Sequence, residues 1–274
     1  MPSPTTRPDP GPRSATPRAA LVMLAAGEGR RSGHHTNKVL LPLAGRRVFT
    51  WSIRWARLLP SITHTVLVVR EEDRDVVQAA VVREVDPPAV QIVTGGDSRH
   101  ASEWMALQAL QPAIEAGEVD VVVIHDAARP LAGTALFEAV IAAAAEHGGA
   151  IPVRDQPHLA TIGDGTASLE RVVAVQTPQA FLAQPLLEAY GQASADGFVG
   201  TDTASCIERY TEVPVHCVPG DAGNIKITFP EDLFLAERLL AKAGYDLSGA
   251  HHAAVTTHRG RPHLRGRRHP GEAR

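Results

Sequence analysis

The run Ala25-Ala26-Gly27-Glu28-Gly29-Arg30-Arg31, with Lys38 eleven residues beyond Gly27, gathers the residue types that handle a polyphosphate. Small side chains let backbone N–H groups close on an anion, and adjacent cations balance its charge. Further on, Thr94-Gly95-Gly96-Asp97-Ser98-Arg99 and His125-Asp126-Ala127-Ala128-Arg129-Pro130 carry related chemistry. A carboxylate such as Asp126 suits Mg²⁺ riding on a polyphosphate, because that ion takes one or two carboxylates plus phosphate oxygens. The competing reading is an Asp126–Arg129 ion pair that braces the turn. His125 reads as packing, since a phosphate monoester is largely ionised near neutral pH and needs no base.

Two other glycine-loop chemistries fit less well. A dinucleotide fingerprint needs G-x-G-x-x-G and an acidic residue about twenty positions on; here the third glycine, Gly33, falls one place late and Arg46-Arg47 are basic. A Walker loop needs Gly-Lys followed by Ser or Thr, which the sequence lacks. A plain strand-to-helix turn remains open, but it leaves Arg30, Arg31 and Lys38 in one loop without a reason.

These loops need strands to carry them. Ala20–Leu24 and Val121–Ile124 are short apolar runs of the kind buried on both faces of a parallel sheet. Between them alternate an amphipathic helix over 48–59, a strand over 65–69, a helix over 73–84, a strand over 90–93 and a long helix over 103–116. Trp51, Trp55 and Trp104 fall at helix core positions. Ligands in open α/β sheets collect at the carboxyl ends of the strands, so the three loops are expected to share one crevice. Gln176–Gln179 reads as the lead into a helix over 182–190, and Pro230-Glu231-Asp232 as the start of the last helix.

The chain of 274 residues is expected to hold one α/β domain over 19–247 between two tails. Residues 1–18 carry six prolines, and residues 248–274 carry six arginines and five histidines, compositions that bury too little to fold. Setting aside their nine arginines from 27 cations and their two acids from 30 leaves 18 against 28, a core at −10. That balance argues against nucleic acid as the core's partner. Two cysteines without a C-x-x-C pair point to a reducing, cytoplasmic setting, and no apolar run is long enough for a membrane span.

Taken together, AAGEGRRSGHHTNK, GGDSRHAS, HDAARP, QTPQAF, TDTAS and NIKITFPEDL, in this order over about 19–243, resemble the successive motifs of the 2-C-methyl-D-erythritol 4-phosphate cytidylyltransferases of the non-mevalonate isoprenoid pathway. The resemblance implies a nucleotidyltransferase fold, Rossmann-like, with a mostly parallel twisted sheet flanked by helices and an extended β-arm, about 152–176, that makes a homodimer. It also implies transfer of CMP from CTP to a sugar-alcohol phosphate, with release of pyrophosphate and use of Mg²⁺. Carried onto this sequence, Arg31 and Lys38 match transition-state stabilisers, and Lys226 matches the cation on the attacking phosphate. Such cations suit a reaction in which charge builds on phosphoryl oxygens. Ala25, Ala26, Gly27, Gly29, Gly96, Asp97 and Ser102 match nucleotide-binding residues. Asp126 matches the residue near metal and acceptor, and Arg129, Thr201 and Lys226 match the acceptor side.

The sequence departs from that pattern in two places. Asn37 stands where a proline usually precedes the lysine, which predicts a looser loop and a less pre-positioned Lys38. In the arm, Gln156 and Leu169 stand where the family has an acceptor-binding threonine and arginine; Arg171, two residues on, is the expected substitute. Three functions therefore stay open: the methylerythritol phosphate enzyme, a cytidylyltransferase for another polyol phosphate such as ribitol 5-phosphate, and a nucleotide-binding paralogue without turnover.

Overall fold

The computed structural model describes residues 16–27, 37–87, 89–157, 159, 161–163, 166–168 and 171–244. Arg18, assigned above to the N-terminal tail, is held: its backbone N and its Nε both donate to Asp120 Oδ2, at 2.9 and 3.1 Å. Residues 1–15 and the whole of 248–274 lie outside the described residues.

Strand β1 (Ala19–Leu24) runs parallel to β6 (Val121–Asp126) on one side and β4 (Ile62–Val69) on the other, with β5 (Gln91–Thr94) beyond β4. Because successive strand residues point to opposite faces, β1 feeds two cores. Ala19, Leu21 and Met23 pack with α1 (Val48–Ala56), α2 (Arg74–Glu84) and α4 (Gly133–His147). Ala20 and Val22 pack with α3 (Arg99–Glu115), α5 (Ala183–Asp196) and α6 (Thr203–Tyr210). The result is a sheet with helices on both faces, as the apolar runs imply. The last helix, α7 (Pro230–Lys242), closes a third cluster with Leu43 and Trp51 over the small hairpin of β2 (Pro42–Leu43) and β3 (Arg46–Arg47).

The sheet continues past β6 with reversed direction. Strand β11 (Gln179–Leu182) lies antiparallel to both β6 and β7 (Gly149–Asp155), so a short strand stands between Gln176–Pro178 and the helix they were expected to enter, which begins at Ala183. Ala180 and Phe181 are buried between the two partners, and that burial outweighs the turn signal of Pro178. Farther out, β7 pairs with β10 (Val173–Val175), and along its other edge with β12 (Val215–Pro219). Between β7 and β10, the arm segment forms a separate two-stranded sheet of β8 (Thr161–Gly163) and β9 (Thr166–Ser168).

Smaller corrections have local causes. Helix α1 stops at Ala56 instead of 59, and Leu58, inside the expected span, is exposed in the following turn. Helix α3 begins at Arg99 instead of 103, because the Ser98 side chain accepts from Ala101 N at 3.0 Å and caps it there. Trp51 is buried, while Trp104 is half-buried against the α3–α5 core.

Candidate active site

Four parallel strands end on one side of the sheet, and their following loops enclose a cleft of about 790 Å³. Ala25, Ala26 and Gly27 follow β1, Gly95 to Arg99 follow β5, Asp126 ends β6, and Lys38 and Lys226 reach in from flanking segments. Ala25 N donates to Val68 O and Gly95 N to Val69 O, both at 2.8 Å, which ties two of these loops to β4.

The loop after β5 requires glycine. A Cβ on Gly95 would stand 2.7 Å from the Ala26 Cβ and 2.8 Å from Ser102 Oγ, and one on Gly96 would stand 2.5 Å from the Ala101 Cβ. Gly96 N also donates to Ser102 Oγ at 3.2 Å. Side-chain-free backbone thus lets the first turn of α3 approach the β1 loop and sets a helix N-terminus beside the cleft, where an anion is favoured.

Asp126 is the electrostatic centre. Its Oδ1 accepts a short hydrogen bond from Arg99 Nη1, and its Oδ2 accepts from Lys226 Nζ at 2.8 Å. Arg129 Nε lies 3.9 Å from Oδ2. Burial alone would raise this carboxyl, but Arg99 and Lys226 reverse that and hold it far below the usual carboxylate range. Asp126 is therefore an anion at every physiological pH, with two cations on its two oxygens.

His125 is packed behind Asp126 with both ring nitrogens engaged. It is fully buried, and its Nε2 lies 3.0 Å from Arg129 O, which can only accept, so Nε2 carries the proton. Nδ1 then accepts from Thr177 Oγ1 at 3.1 Å, and that oxygen accepts from Asp126 N at 3.0 Å. Burial pushes the imidazole down to about 4, so it stays neutral and orients the end of β6.

Asn37, directly before Lys38, is held in place by its own side chain. Asn37 is 4% exposed, its Nδ2 donates to Ala25 O and to Asp73 Oδ2, each at 2.9 Å, and its Oδ1 accepts from Val39 N at 3.3 Å. Its φ of −61° is also one that proline takes. Side-chain tethers restrain Asn37 where the family pattern has a ring.

Of the residues singled out in the sequence, Ala25, Ala26, Gly27, Lys38, Gly96, Asp97, Ser102, Asp126 and Lys226 line this one cleft. Arg129 stands behind it, donating from Nη1 to Asn224 O at 2.9 Å. Thr201 is exposed just ahead of α6 and does not line the cleft. Arg171 is on the arm, 76% exposed, with Nη2 donating to Asp155 Oδ2 at 2.9 Å. Arg31, Gly29 and Leu169 lie outside the described residues. Sequence reasoning missed Arg99, although a cation in the first turn of a helix, against the macrodipole, was a signal that it serves another purpose.

Comparison with known proteins agrees over the same span. Residues 19–242 match the family model of 2-C-methyl-D-erythritol 4-phosphate cytidylyltransferase. Enzymes bearing that name from Symbiobacterium thermophilum and Syntrophotalea carbinolica are each 40% identical to this chain; the matches cover 81% of it and 92% of the first, and 82% of it and 97% of the second. The 4-diphosphocytidyl-2C-methyl-D-erythritol synthase of Anaerococcus prevotii superposes with a TM-score of 0.70 at 26% identity, over 82% of this chain and 97% of its own. The Thermus thermophilus cytidylyltransferase gives 0.60 at 27% identity, over 80% and 98%.

Proposed function

Since the chain belongs to the 2-C-methyl-D-erythritol 4-phosphate cytidylyltransferase family, we propose that its cleft holds CTP along the Ala25–Gly27 loop and the first turn of α3 and takes the acceptor phosphate from the Lys226 side. The chain is a CTP-dependent cytidylyltransferase that moves CMP onto 2-C-methyl-D-erythritol 4-phosphate in isoprenoid precursor synthesis. The observation that carries the assignment of roles is that the Gly27 loop, Lys38, Gly96, Ser102, Asp126 and Lys226, scattered over two hundred residues of sequence, line one cleft.

In this reading an oxygen of the acceptor phosphate attacks the α-phosphorus of CTP, the bond to the β-phosphate breaks, and pyrophosphate leaves. No base is required, because the attacking oxygen is already anionic, in keeping with the neutral, buried His125. Charge builds on the leaving and equatorial oxygens, where cations stabilise the transition state more than the ground state. Lys38 serves the nucleotide phosphates, and Arg31 joins it in the proposal as its companion in the loop. Lys226, held by Asp126, aligns the attacking phosphate. Gly96, Asp97 and Ser102 take the nucleoside.

Mg²⁺ belongs to the same proposal. Among the described residues no group of three His, Cys, Asp or Glu side chains gathers to hold a metal; of the carboxylates lining the cleft, Asp126 is assigned to the ion by its place in the family motif, and the triphosphate would supply the remaining oxygens, a donor set Mg²⁺ accepts. When bound, the ion neutralises phosphate charge. The homodimer is also proposed, supported by Leu159, Val173 and Val175, apolar side chains exposed on the arm; Arg171 would then serve the partner's acceptor. A cytoplasmic setting rests on Cys206 and Cys217, both free thiols; no helix among the described residues is long and apolar enough to cross a membrane.

Pyrophosphate release from CTP with Mg²⁺, measured against 2-C-methyl-D-erythritol 4-phosphate, ribitol 5-phosphate and other polyol phosphates, tests the function. Turnover confined to the methylerythritol phosphate is expected. Faster turnover of another acceptor would overturn the substrate, and none with any would overturn the enzyme.

A further inference from the structure

Behind the cleft, Arg99 meets a second carboxylate. Glu103, one turn along α3 and 1% exposed, places Oε1 2.8 Å from Arg99 Nε. The Arg99 N–H is not aimed along that line, so the contact is an ion pair instead of a hydrogen bond. Glu103 is fixed from its other side: Thr203 Oγ1 donates to Oε1 at 3.1 Å, and the Tyr190 hydroxyl donates a short hydrogen bond to Oε2. Ala106 and Leu107, farther along α3, belong with Leu186 of α5 to the apolar core on this side of the sheet.

A buried carboxylate in such surroundings costs free energy that an apolar side chain of similar size would not. Burial pushes the Glu103 carboxyl above its ordinary range, with Arg99, Tyr190 and Thr203 acting against that push. Arg99 itself stands at the helix N-terminus, where the macrodipole disfavours a cation. Both costs fall on one contact, and that contact ends at Asp126 and Lys226. The line Tyr190–Glu103–Arg99–Asp126–Lys226 runs from the α3–α5 core into the cleft.

We propose that Glu103 is a positioning residue for the nucleotide half of the reaction: anchored by Tyr190 and Thr203, it fixes the Arg99 guanidinium against Asp126, so that cation and carboxylate stand in place before CTP arrives. The inference rests on the cytidylyltransferase reading of the cleft. It adds a residue of α3 that touches neither substrate and acts through Arg99. Without the Glu103 charge, Arg99 keeps its bond to Asp126 but loses the restraint on its Nε side, and ordering it becomes a cost met at each binding event.

A double-mutant cycle separates this role from simple packing. Glu103→Gln keeps size and acceptor atoms and removes the charge. It is expected to lower kcat/KM for CTP about tenfold, mainly through KM, and to leave the acceptor KM within about twofold, the scale of coupling between contacting residues. In an Arg99→Gln background the same change is expected to have no further effect. An equal loss in both backgrounds, or no loss in the wild-type background, overturns the proposal. Should Glu103→Gln fail to fold, Tyr190→Phe carries the same comparison with a smaller expected effect, and the same two outcomes overturn it. CTP binding by calorimetry accompanies the kinetics. Wild-type protein that binds CTP yet transfers nothing overturns the reading of the function, whereas an additive cycle in binding overturns the role of Glu103.

Discussion

Asn37 Nδ2 and Asp73 Oδ2 lie 2.9 Å apart, joining the segment that leads to Lys38 to the single 3₁₀ turn (Glu71–Asp73) that follows β4. The same Asp73 oxygen accepts from Arg70 Nε at 2.8 Å. Lys38 is thus referenced to the sheet through a side chain rather than through backbone stiffness.

Replacing Asn37 tests that tether. Asn37→Ala leaves Ala25 O and Val39 N without these partners and should cost about 1–3 kcal/mol, read as a lower Tm, together with a fall in kcat. Asn37→Pro restrains φ and removes the same bonds, so its Tm should fall between those of the alanine variant and the wild type. A proline variant as stable and active as wild type would show that the tether is dispensable.

The two lysines should report on the transition state. Lys38→Ala or Lys226→Ala is expected to reduce kcat on the order of a hundredfold or more, with a smaller effect on CTP affinity. A variant that loses CTP binding and keeps kcat at saturating CTP would reassign that lysine to ground-state binding.

Asp126→Asn leaves Arg99, Lys226 and Arg129 around a neutral group. Loss of one member of a buried ionic cluster costs about 3–5 kcal/mol, so the denaturant midpoint should drop markedly along with activity. Unchanged stability would mean that the cations relax into solvent.

Stability should depend on pH through His125. Its folded value near 4 lies below the ordinary imidazole value of 6.5, so the unfolded chain binds the extra proton first and stability falls as pH drops from 6.5 to 4. The span corresponds to about 3 kcal/mol at 1.36 kcal/mol per unit. Asp126 adds no slope there: its depressed value keeps its contribution intact until the pH falls below the ordinary 3.8. Glu103, raised above 4.5, runs the opposite way, losing stability as pH rises through its folded value. Urea denaturation of wild type and His125→Gln isolates the histidine; parallel curves would sink the assignment.

Arg171 must exchange Asp155 for an acceptor phosphate if it serves the partner's site. Arg171→Ala should then raise the acceptor KM about tenfold, the scale of a lost charge-assisted bond, and spare CTP, while Asp155→Asn should lower the acceptor KM by freeing the guanidinium. Two variants that leave the acceptor KM untouched would remove Arg171 from the site.

Much of this was legible in residue types. The apolar runs of β1 and β6 announce a doubly covered sheet, and the loops expected to share a crevice do line one cleft, Gly27 and Lys38 among them. What stayed hidden depended on distance in sequence. Gln179–Leu182 becomes a strand because β6 and β7 lie on either side of it, a fact that no local pattern carries. The Asn37 tether needs Asp73, thirty-six residues away, and Glu103 gains meaning only once Tyr190 and Thr203 have folded onto it. Departures from a family's motif are hard to judge for the same reason: the compensation sits elsewhere in the chain.

The short connection from β10 to β11 couples two parts of the molecule by chain length alone. Val175 ends the strand that returns from the arm, and Thr177, two residues later, receives the backbone N–H of Asp126. Between them Gln176 clasps the loop after β12, its Nε2 donating to Asp221 O at 2.8 Å and its Oε1 accepting from Asp221 N at 3.0 Å. The hairpin tip can lengthen or shorten without disturbing any of these bonds. At its root, one inserted or deleted residue would turn Thr177 to the other face of the sheet and strip Asp126 of its backbone anchor. Variation in the arm is therefore free at the end a partner would grip and forbidden at the end that holds the carboxylate.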